Sequence, residues 1–395
     1  MPILGSQGSG AKGAPGIPTV GTATVTNSTT VSLTFTAPDS KLPITSYTVT
    51  SNPSIALSTS DLSSPLSITG TFVTDVSYTF TITATSSNGT SSASSASNSI
   101  TPNPTPPIRG VFAGGNRSSE TNVMEYISIN STGNSTNFGN LTSARYALTG
   151  CASSTRGVFG GGVGPQNTMD YITVASTGNA TDFGDLTLSR SDLSSCASAT
   201  RGIFAGGYTG SARTKVIDYI TTATTGNATN FGELAVSRLG LASCSSSTRG
   251  LFAGGSDIPG SYVSTIDYIT IATTGTAAFF QLLTVARSSL ASCSSSTRGI
   301  WAGGGTGSLS RVMDYVTIAT AGSAINFGNL SIGTHQLAAC SSSTRGVFGG
   351  GFNTFGRTTT IEYVTIATTG NATSFGNLSV ATEQLAGLSN AHGGL

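Results

Sequence analysis

One stretch decides the fold of this chain: Arg109-Gly110-Val111-Phe112-Ala113-Gly114-Gly115. Five near-copies follow it at intervals of 45 to 49 residues, beginning at Arg156, Arg201, Arg249, Arg298 and Arg345. Every copy keeps Arg-Gly, an aliphatic residue, an aromatic residue and a final Gly-Gly. A period in this range predicts an array of equivalent β modules rather than a two-layer enzyme fold.

Each repeat is predicted to form four strands. In the repeat around Arg298 the strand-like runs are residues 287–293, 297–304, 312–318 and 326–330. Four short strands in each period of this length are typical of the blades of a β-propeller. The repeats therefore predict an all-β domain over residues 109–395.

The order of these runs resembles the kelch motif. Gly-Gly ends the second run, a hydrophobic-acidic-tyrosine stretch such as Met313-Asp314-Tyr315 forms the third, and an aromatic-x-x-Leu stretch such as Phe327 to Leu330 opens the fourth. One repeat departs from this pattern, with Phe279-Phe280-Gln281 where the others read Phe-Gly. The resemblance implies a kelch-like propeller similar to the central domain of galactose oxidase, and the six copies of the repeat predict six blades.

The phase of the repeats predicts how the ring closes. The first repeat begins at Ile108-Arg109 without an innermost strand, whereas residues 382–388 supply such a strand after the last repeat. We therefore expect the C-terminal strand to complete the first blade, which leaves no free sheet edge there.

The first quarter of the chain differs from the repeats in composition. Residues 1–16 predict a flexible Gly-rich attachment arm, and the Pro-rich residues 103–108 predict a stiff linker. Between them, residues 17–102 contain alternating runs at 31–35, 47–50 and 78–84. The last run, followed by Asn88-Gly89, resembles the F strand and following turn of a fibronectin type III domain. That resemblance makes Tyr78 the corner tyrosine, whose hydroxyl bonds back to the chain a few residues upstream.

Charge argues against two classes of partner. Only 8% of the residues are charged and the net charge is +1, against a usual charged fraction of about 25%. Nucleic acid and anionic lipid are recognised through clusters of Lys and Arg, and this chain has none. No apolar run reaches the roughly 18 residues of a membrane span. We therefore expect neither nucleic-acid binding nor membrane insertion.

Two sets of recurring residues are predicted to be structural. The repeat arginines are matched in number by an acid before each tyrosine, and in so uncharged a chain this predicts a ladder of Arg–carboxylate pairs between strands. Its members are Arg109, Arg156, Arg201, Arg249, Arg298, Arg345, Glu125, Asp170, Asp218, Asp267, Asp314 and Glu362. The second set holds Cys151, Cys196, Cys244, Cys293 and Cys340, with Leu388 in the sixth copy. Because leucine can replace it, the cysteine is predicted to be a reduced, packed thiol.

Catalysis has little support in the sequence. A galactose oxidase-like copper site needs two histidines with tyrosines, but the chain has only His335 and His392, and His392 is expected to lie in a loose terminus. No nucleophile elbow or paired-carboxylate arrangement stands out from the repeats. The sequence predicts a protein that is not an enzyme and that has no cofactor, no metal site and no catalytic residues.

Binding is the remaining hypothesis. The loops after the first and third strands are nearly uniform, whereas those after each Gly-Gly differ in length and concentrate aromatic and charged residues. Loops on a rigid scaffold often carry recognition. The candidate recognition residues are Arg117, Glu120, Tyr208, Arg213, Lys215, Asp257, Tyr262, Arg311, Phe352, Phe355 and Arg357. The alternative is that these loops are merely unconstrained.

The module order is similar to that of structural proteins of tailed bacteriophages, particularly cyanophages. This resemblance implies a virion-surface or tail-fibre protein that is made in the host cytoplasm. Other virion proteins would bind the N-terminal arm or the fibronectin-like domain, and host surface glycans would bind the propeller loops. A second copy of the chain is a further candidate partner. The alternative hypothesis is an extracellular or cell-surface adhesin, and the copper oxidase is the third.

Overall fold

The computed structural model describes residues 13–395 except 60, 74, 103–106, 165 and 259–260. This part of the chain is all β, and it contains no helix with the length and apolarity of a membrane span. The chain divides into two compact units, Met1–Pro106 and Pro107–Leu395. Most of the predicted arm at 1–16 and of the predicted linker at 103–108 lies outside the described residues.

The first unit has two antiparallel sheets around one core. Its strands are β1 (Thr19–Asn27), β2 (Thr30–Thr36), β3 (Ile44–Asn52), β4 (Leu57–Thr59), β5 (Leu66–Gly70), β6 (Thr79–Ser86) and β7 (Gly89–Thr90). One sheet has the order β1-β2-β5-β4 and the other β3-β6-β7. Alternate residues of β2 and β6 are buried, as their sequence pattern predicts. The Tyr78 hydroxyl accepts a hydrogen bond from the backbone N–H of Val73 at 3.1 Å, which confirms the bond predicted for this tyrosine.

The strands of the second unit follow the repeats. They are β8 (Arg109–Ala113), β9 (Val123–Ser128), β10 (Thr136–Asn140), β11 (Thr149–Ala152), β12 (Arg156–Gly160), β13 (Thr168–Thr173), β14 (Thr181–Asp185), β15 (Ser194–Ala197), β16 (Arg201–Ala205), β17 (Val216–Thr221), β18 (Thr229–Glu233), β19 (Ala242–Ser245), β20 (Arg249–Ala253), β21 (Ser256–Ile258), β22 (Ser261–Tyr262), β23 (Thr265–Thr270), β24 (Ala278–Leu282), β25 (Ala291–Ser294), β26 (Arg298–Ala302), β27 (Val312–Thr317), β28 (Ile325–Asn329), β29 (Thr334–His335), β30 (Ala338–Ser341), β31 (Arg345–Gly349), β32 (Phe352–Asn353), β33 (Gly356–Arg357), β34 (Thr360–Thr365), β35 (Thr373–Asn377) and β36 (Ala386–Ser389).

These strands form six four-stranded antiparallel sheets in the part of the unit that the structure describes. Sheet 1 is β36-β8-β9-β10, and sheets 2 and 3 are β11 to β14 and β15 to β18. Sheets 4, 5 and 6 are β19-β20-β23-β24, β25 to β28 and β30-β31-β34-β35. The predicted pairing of the C-terminal strand with the first repeat is present, because Leu388 of β36 lies opposite Val111 of β8. We call the first strand of each sheet in these orders its inner strand and the last its outer strand.

Neighbouring sheets pack through the cysteines of the inner strands and the glycines of Arg-Gly. A side chain at Gly202 of sheet 3 would meet the Cys151 sulfur of sheet 2 at 2.7 Å, so only glycine leaves room for the thiol. The same relation joins every sheet to the next, and Leu388 of sheet 1 takes the place of the thiol above Gly157 of sheet 2. The prediction of packed, reduced thiols is confirmed: all five are buried and free.

Asparagines hold the outer parts of the sheets together. The side-chain oxygens of Asn134, Asn179, Asn227 and Asn371 each accept a hydrogen bond of 3.0 Å from a backbone N–H of the neighbouring outer strand. Sheet 5 has Ser323 at this position, and its hydroxyl bonds instead to Gln281, the residue that replaces the bulge glycine in β24. The departure seen in the sequence therefore alters one of these joints.

The residues after β36 lie against the ends of the inner strands. The His392 Nε2 atom lies 2.7 Å from the carbonyl oxygen of Ala152, and the Gly394 N–H donates to His392 Nδ1 at 3.1 Å. A neutral ring protonated at Nε2 satisfies both bonds. The expectation of a loose His392 was wrong, because a contact to a neighbouring backbone could not be read from the glycine-rich sequence.

Candidate functional site

The uneven loops emerge at one end of the inner strands. Each follows a Gly-Gly pair and bonds to the segment that leads into a neighbouring inner strand, as in the bridges between Ser191 and Tyr208 and between Asn116 and Glu383. In Gly114 and Gly115 φ is 63° and 105°, and a side chain at either residue would strike a backbone carbonyl of these segments. The glycines thus fix where the loops begin, and all the candidate recognition residues lie at this loop end.

Most of the charged candidate residues form ion pairs or hydrogen bonds with other residues of the chain. Arg117 donates to Glu125 and to Thr382, Arg357 pairs with Glu383 at 2.9 Å, and Lys215 pairs with Glu233 at 2.7 Å. Arg213 and Arg311 donate to the backbone carbonyls of Ser256 and Leu330. Asp257 is partly buried, whereas Glu120 is exposed. These arginines hold the loops in place through contacts within the chain, so their guanidinium groups are already occupied by intramolecular partners.

The aromatic candidates are the more available ones. Phe355 lies at the turn between β32 and β33 and is 88% exposed. Tyr262 and Phe352 are about one-third exposed, and Phe352 also packs edge-on against His335. Tyr208 is partly buried and its hydroxyl donates to the Gly210 carbonyl. The loop end therefore offers separate aromatic side chains rather than one continuous apolar patch.

The predicted Arg–carboxylate ladder is wrong in its partners. The repeat arginines stack on the tyrosine of the third strand, with guanidinium-to-ring distances of 4.3 to 4.7 Å. Each also donates to a backbone carbonyl of the next sheet, as Arg345 does to Ile129 at 2.9 Å. The carboxylates cannot be reached, because Arg109 lies opposite Ser128 while Glu125 lies opposite Phe112, three positions along the strand. The same register holds in every repeat, so none of these arginines, namely Arg109, Arg156, Arg201, Arg249, Arg298 and Arg345, pairs with an acid.

The acids pair with a second set of arginines that the sequence analysis missed. Four ion pairs of 2.7 to 3.0 Å join the segment before an inner strand to the third strand of the same sheet, and all are fully or almost fully buried. They are Arg145–Asp170, Arg190–Asp218, Arg238–Asp267 and Arg287–Asp314. Burial lowers the pKa of each of these arginines, and its partner carboxylate opposes that shift. These pairs attach sheets 2 to 5 each to the chain segment that precedes its inner strand.

The two remaining acids are glutamates, and threonine replaces the arginine in their repeats. Thr382 stands in the repeat of Glu125 and Thr334 in that of Glu362. Arg117 comes from a loop to pair with Glu125 at 3.2 Å, while Glu362 accepts a bond from the Ser331 N–H. In these two repeats Thr replaces the arginine and Glu replaces the aspartate. This coupled replacement was the sequence signal that could have shown that the two positions are ion-pair partners.

The two histidines lie at opposite ends of the inner strands. His335 is at the loop end, where burial lowers its pKa and Glu383 partly opposes the shift, whereas His392 bonds to the far end of β11. In the part of the chain that the structure describes, no three His, Cys, Asp or Glu side chains lie close enough to hold a metal ion. These positions do not bring together the two histidines that a galactose oxidase-like copper centre needs.

Comparison of the sequence with protein-family models and with curated proteins gave no match.

Proposed function

We propose that residues 109–395 form a six-bladed, kelch-like β-propeller in which sheets 1 to 6 are the blades and β36 closes the ring. The contacts between inner strands support this, because they run from each sheet to the next and also join β36 to β11. For residues 17–102 we propose a fibronectin type III-like sandwich. Its strand orders, β1-β2-β5-β4 and β3-β6-β7, correspond to a seven-stranded immunoglobulin-like arrangement, and Tyr78 makes the bond of a corner tyrosine.

On this scaffold we propose a non-enzymatic recognition protein of a virion surface or tail, which binds host surface glycans through the loop end. One observation carries the proposal: Phe355 is 88% exposed at the tip of a short hairpin, although the repeat aromatics are buried. A side chain of this kind is costly to leave in water unless a partner covers it, and aromatic anchors dominate many recognition surfaces. An extracellular adhesin would use the same surface, and only the native location separates the two.

The recognition step is tested by binding of purified protein to arrays of bacterial surface polysaccharides. We expect the Phe355→Ser variant to lose most of its binding. Phe279→Ser is the matched control, because Phe279 is also an exposed phenylalanine, at 58%, but lies on outer strand β24. Equal binding by wild type and Phe355→Ser would remove the argument for this surface. Gold-labelled antibodies on intact virions test the location separately.

A further inference from the structure

Six residues form a ring at the loop end of the inner strands, which we call the mouth ring. Each lies two residues before an inner strand, and its N–H donates to the carbonyl of the preceding ring member at 2.7 to 2.9 Å. The Ala147 N–H donates to the Gln384 carbonyl, so the ring of hydrogen bonds is closed. Its members are Ala147, Asp192, Gly240, Ser289, Gln336 and Gln384.

The backbone of the mouth ring favours glycine, yet five of its members have side chains. All six have φ between 53° and 64°, the left-handed region in which a side chain is strained. Gly240 shows that glycine fits the ring. The backbone conformation of the ring therefore does not require these polar side chains. They belong to Asp192, Ser289, Gln336 and Gln384.

These side chains surround a cavity of about 90 Å³ that opens to solvent. The cavity is lined by the mouth ring and by the six leucines that follow its members. The cavity is too small to enclose a whole drug-sized ligand, but it has room for a water-sized polar group at the end of a longer molecule. The polar groups are one carboxylate, two carboxamides and one hydroxyl, all able to accept hydrogen bonds.

The carboxylate of Asp192 has no cationic partner among the residues that the structure describes. It accepts one hydrogen bond, from the Ser191 hydroxyl at 2.9 Å. Burial raises its pKa, and no positive charge opposes that shift. The other acid close to the ring, Glu383, is neutralised by Arg357. Asp192 is thus a partly buried negative charge that faces a cavity and lacks a counter-ion.

We propose that the mouth cavity binds a small organic molecule through a protonated primary amine, with Asp192 as its counter-ion. An ammonium group has three donors and no acceptor, which matches a set of acceptors around a carboxylate. An anion would be repelled, and a neutral sugar would leave the charge uncompensated. The carbonyl oxygens of Gln336 and Gln384 and the Ser289 hydroxyl are the further acceptors on the ring. This site does not depend on recognition by Phe355.

Isothermal titration calorimetry of the full chain at neutral pH tests the proposal. The probes are putrescine, glucosamine and Nα-acetyl-lysine amide, which present the same ammonium group as a polyamine, an amino sugar and a protein side chain. We expect saturable binding of at least one probe and a loss of about tenfold or more in Asp192→Asn, the effect of removing a charged hydrogen-bond partner. Asparagine tolerates this backbone conformation, so the ring should persist. Asp185→Asn, which changes an exposed acid on β14, should bind like wild type.

Gln336→Gly gives a second test, because glycine suits the backbone there while the carboxamide is lost. We expect weaker binding with an unchanged melting temperature. The proposal is overturned if none of the three amines binds, or if glucose binds as well as glucosamine. It is also overturned if calcium chloride alone gives the Asp192-dependent signal, or if Asp192→Asn binds the amines as wild type does.

Discussion

The substitution Ala235→Thr should stabilise the second unit by completing a bond that one repeat lacks. In the repeats of Asp170 and Asp218 the carboxylate accepts a hydrogen bond of 2.6 Å from a threonine hydroxyl, that of Thr142 or Thr187. The repeat of Asp267 has Ala235 at this position, and Asp267 Oδ1 is buried with no hydrogen-bond partner. A threonine at 235 would supply the missing donor from an exposed position.

The expected gain is about 1–2 kcal/mol in the free energy of unfolding, near the lower end of the range for a hydrogen bond to a buried charge. For a unit of this size the gain corresponds to a rise of about 2–4 °C in melting temperature. Thermal unfolding followed by circular dichroism measures it. Ala235→Val is the matched control, because valine has the shape of threonine without the hydroxyl. The reasoning fails if Val raises the melting temperature as much as Thr, or if neither changes it.

The gain should also depend on pH. Burial raises the pKa of Asp267, while Arg238 and the Ala235 N–H oppose the shift, so the native protein binds a proton at a higher pH than the unfolded chain. The contribution of Asp267 to the free energy of unfolding therefore falls as the pH rises from the pKa of an aspartate in the unfolded chain, near 4, through the pKa of Asp267 in the native protein. A hydroxyl that donates to the ionised carboxylate lowers the native pKa. We expect the full gain at neutral pH and a smaller one below about pH 4.

Four further outcomes follow from the packing of the second unit. Deleting residues 380–395 should lower both the melting temperature and the soluble yield, because β8 would lose its partner β36 and become an edge strand. Gly202→Ala should lower the free energy of unfolding in urea by about 1–3 kcal/mol, and adding Cys151→Ala should restore part of it by removing the sulfur that the new methyl group strikes. Native protein should not react with Ellman's reagent at mildly alkaline pH, since burial raises the pKa of Cys151 to about 12 and leaves almost no thiolate, whereas denatured protein should expose five thiols. Arg190→Thr should cost about 3–5 kcal/mol by leaving Asp218 buried without a cation, and adding Asp218→Glu, which copies the natural pair Thr334 and Glu362, should recover part of that loss in the same urea assay.

The strands of the second unit could be predicted because the same strand pattern recurs in each repeat. Gly-Gly marks where a second strand ends, and the acid-Tyr pair marks the third strand, although the loop between them varies in length. The predicted inner strand was too long at its start, since residues 287–290 are not in β25. The chain turns there through Ser289, whose φ is 55°, and a serine gives no sign of that conformation in the sequence.

The contacts between sheets were harder to predict than the sheets. Equal numbers of arginines and acids suggested that they pair, but pairing depends on strand register, and Arg156 lies opposite Thr173 rather than Asp170. The partner of Asp170 is Arg145, which belongs to a segment between two sheets that carries no strand pattern. The mouth ring was missed for a similar reason, because its six members share a backbone conformation and have no common residue type.

The pairing of β36 with β8 also determines how the second unit responds to mechanical load. The chain enters this unit at Pro107, whose carbonyl accepts a bond from the Asn390 side chain, and that side chain in turn accepts one from the Arg109 N–H. Tension applied from the first unit therefore reaches β8, a strand hydrogen-bonded on both sides, rather than an edge strand that could be peeled away. To extract β8, both of its rows of hydrogen bonds must break, whereas an edge strand has only one row to lose.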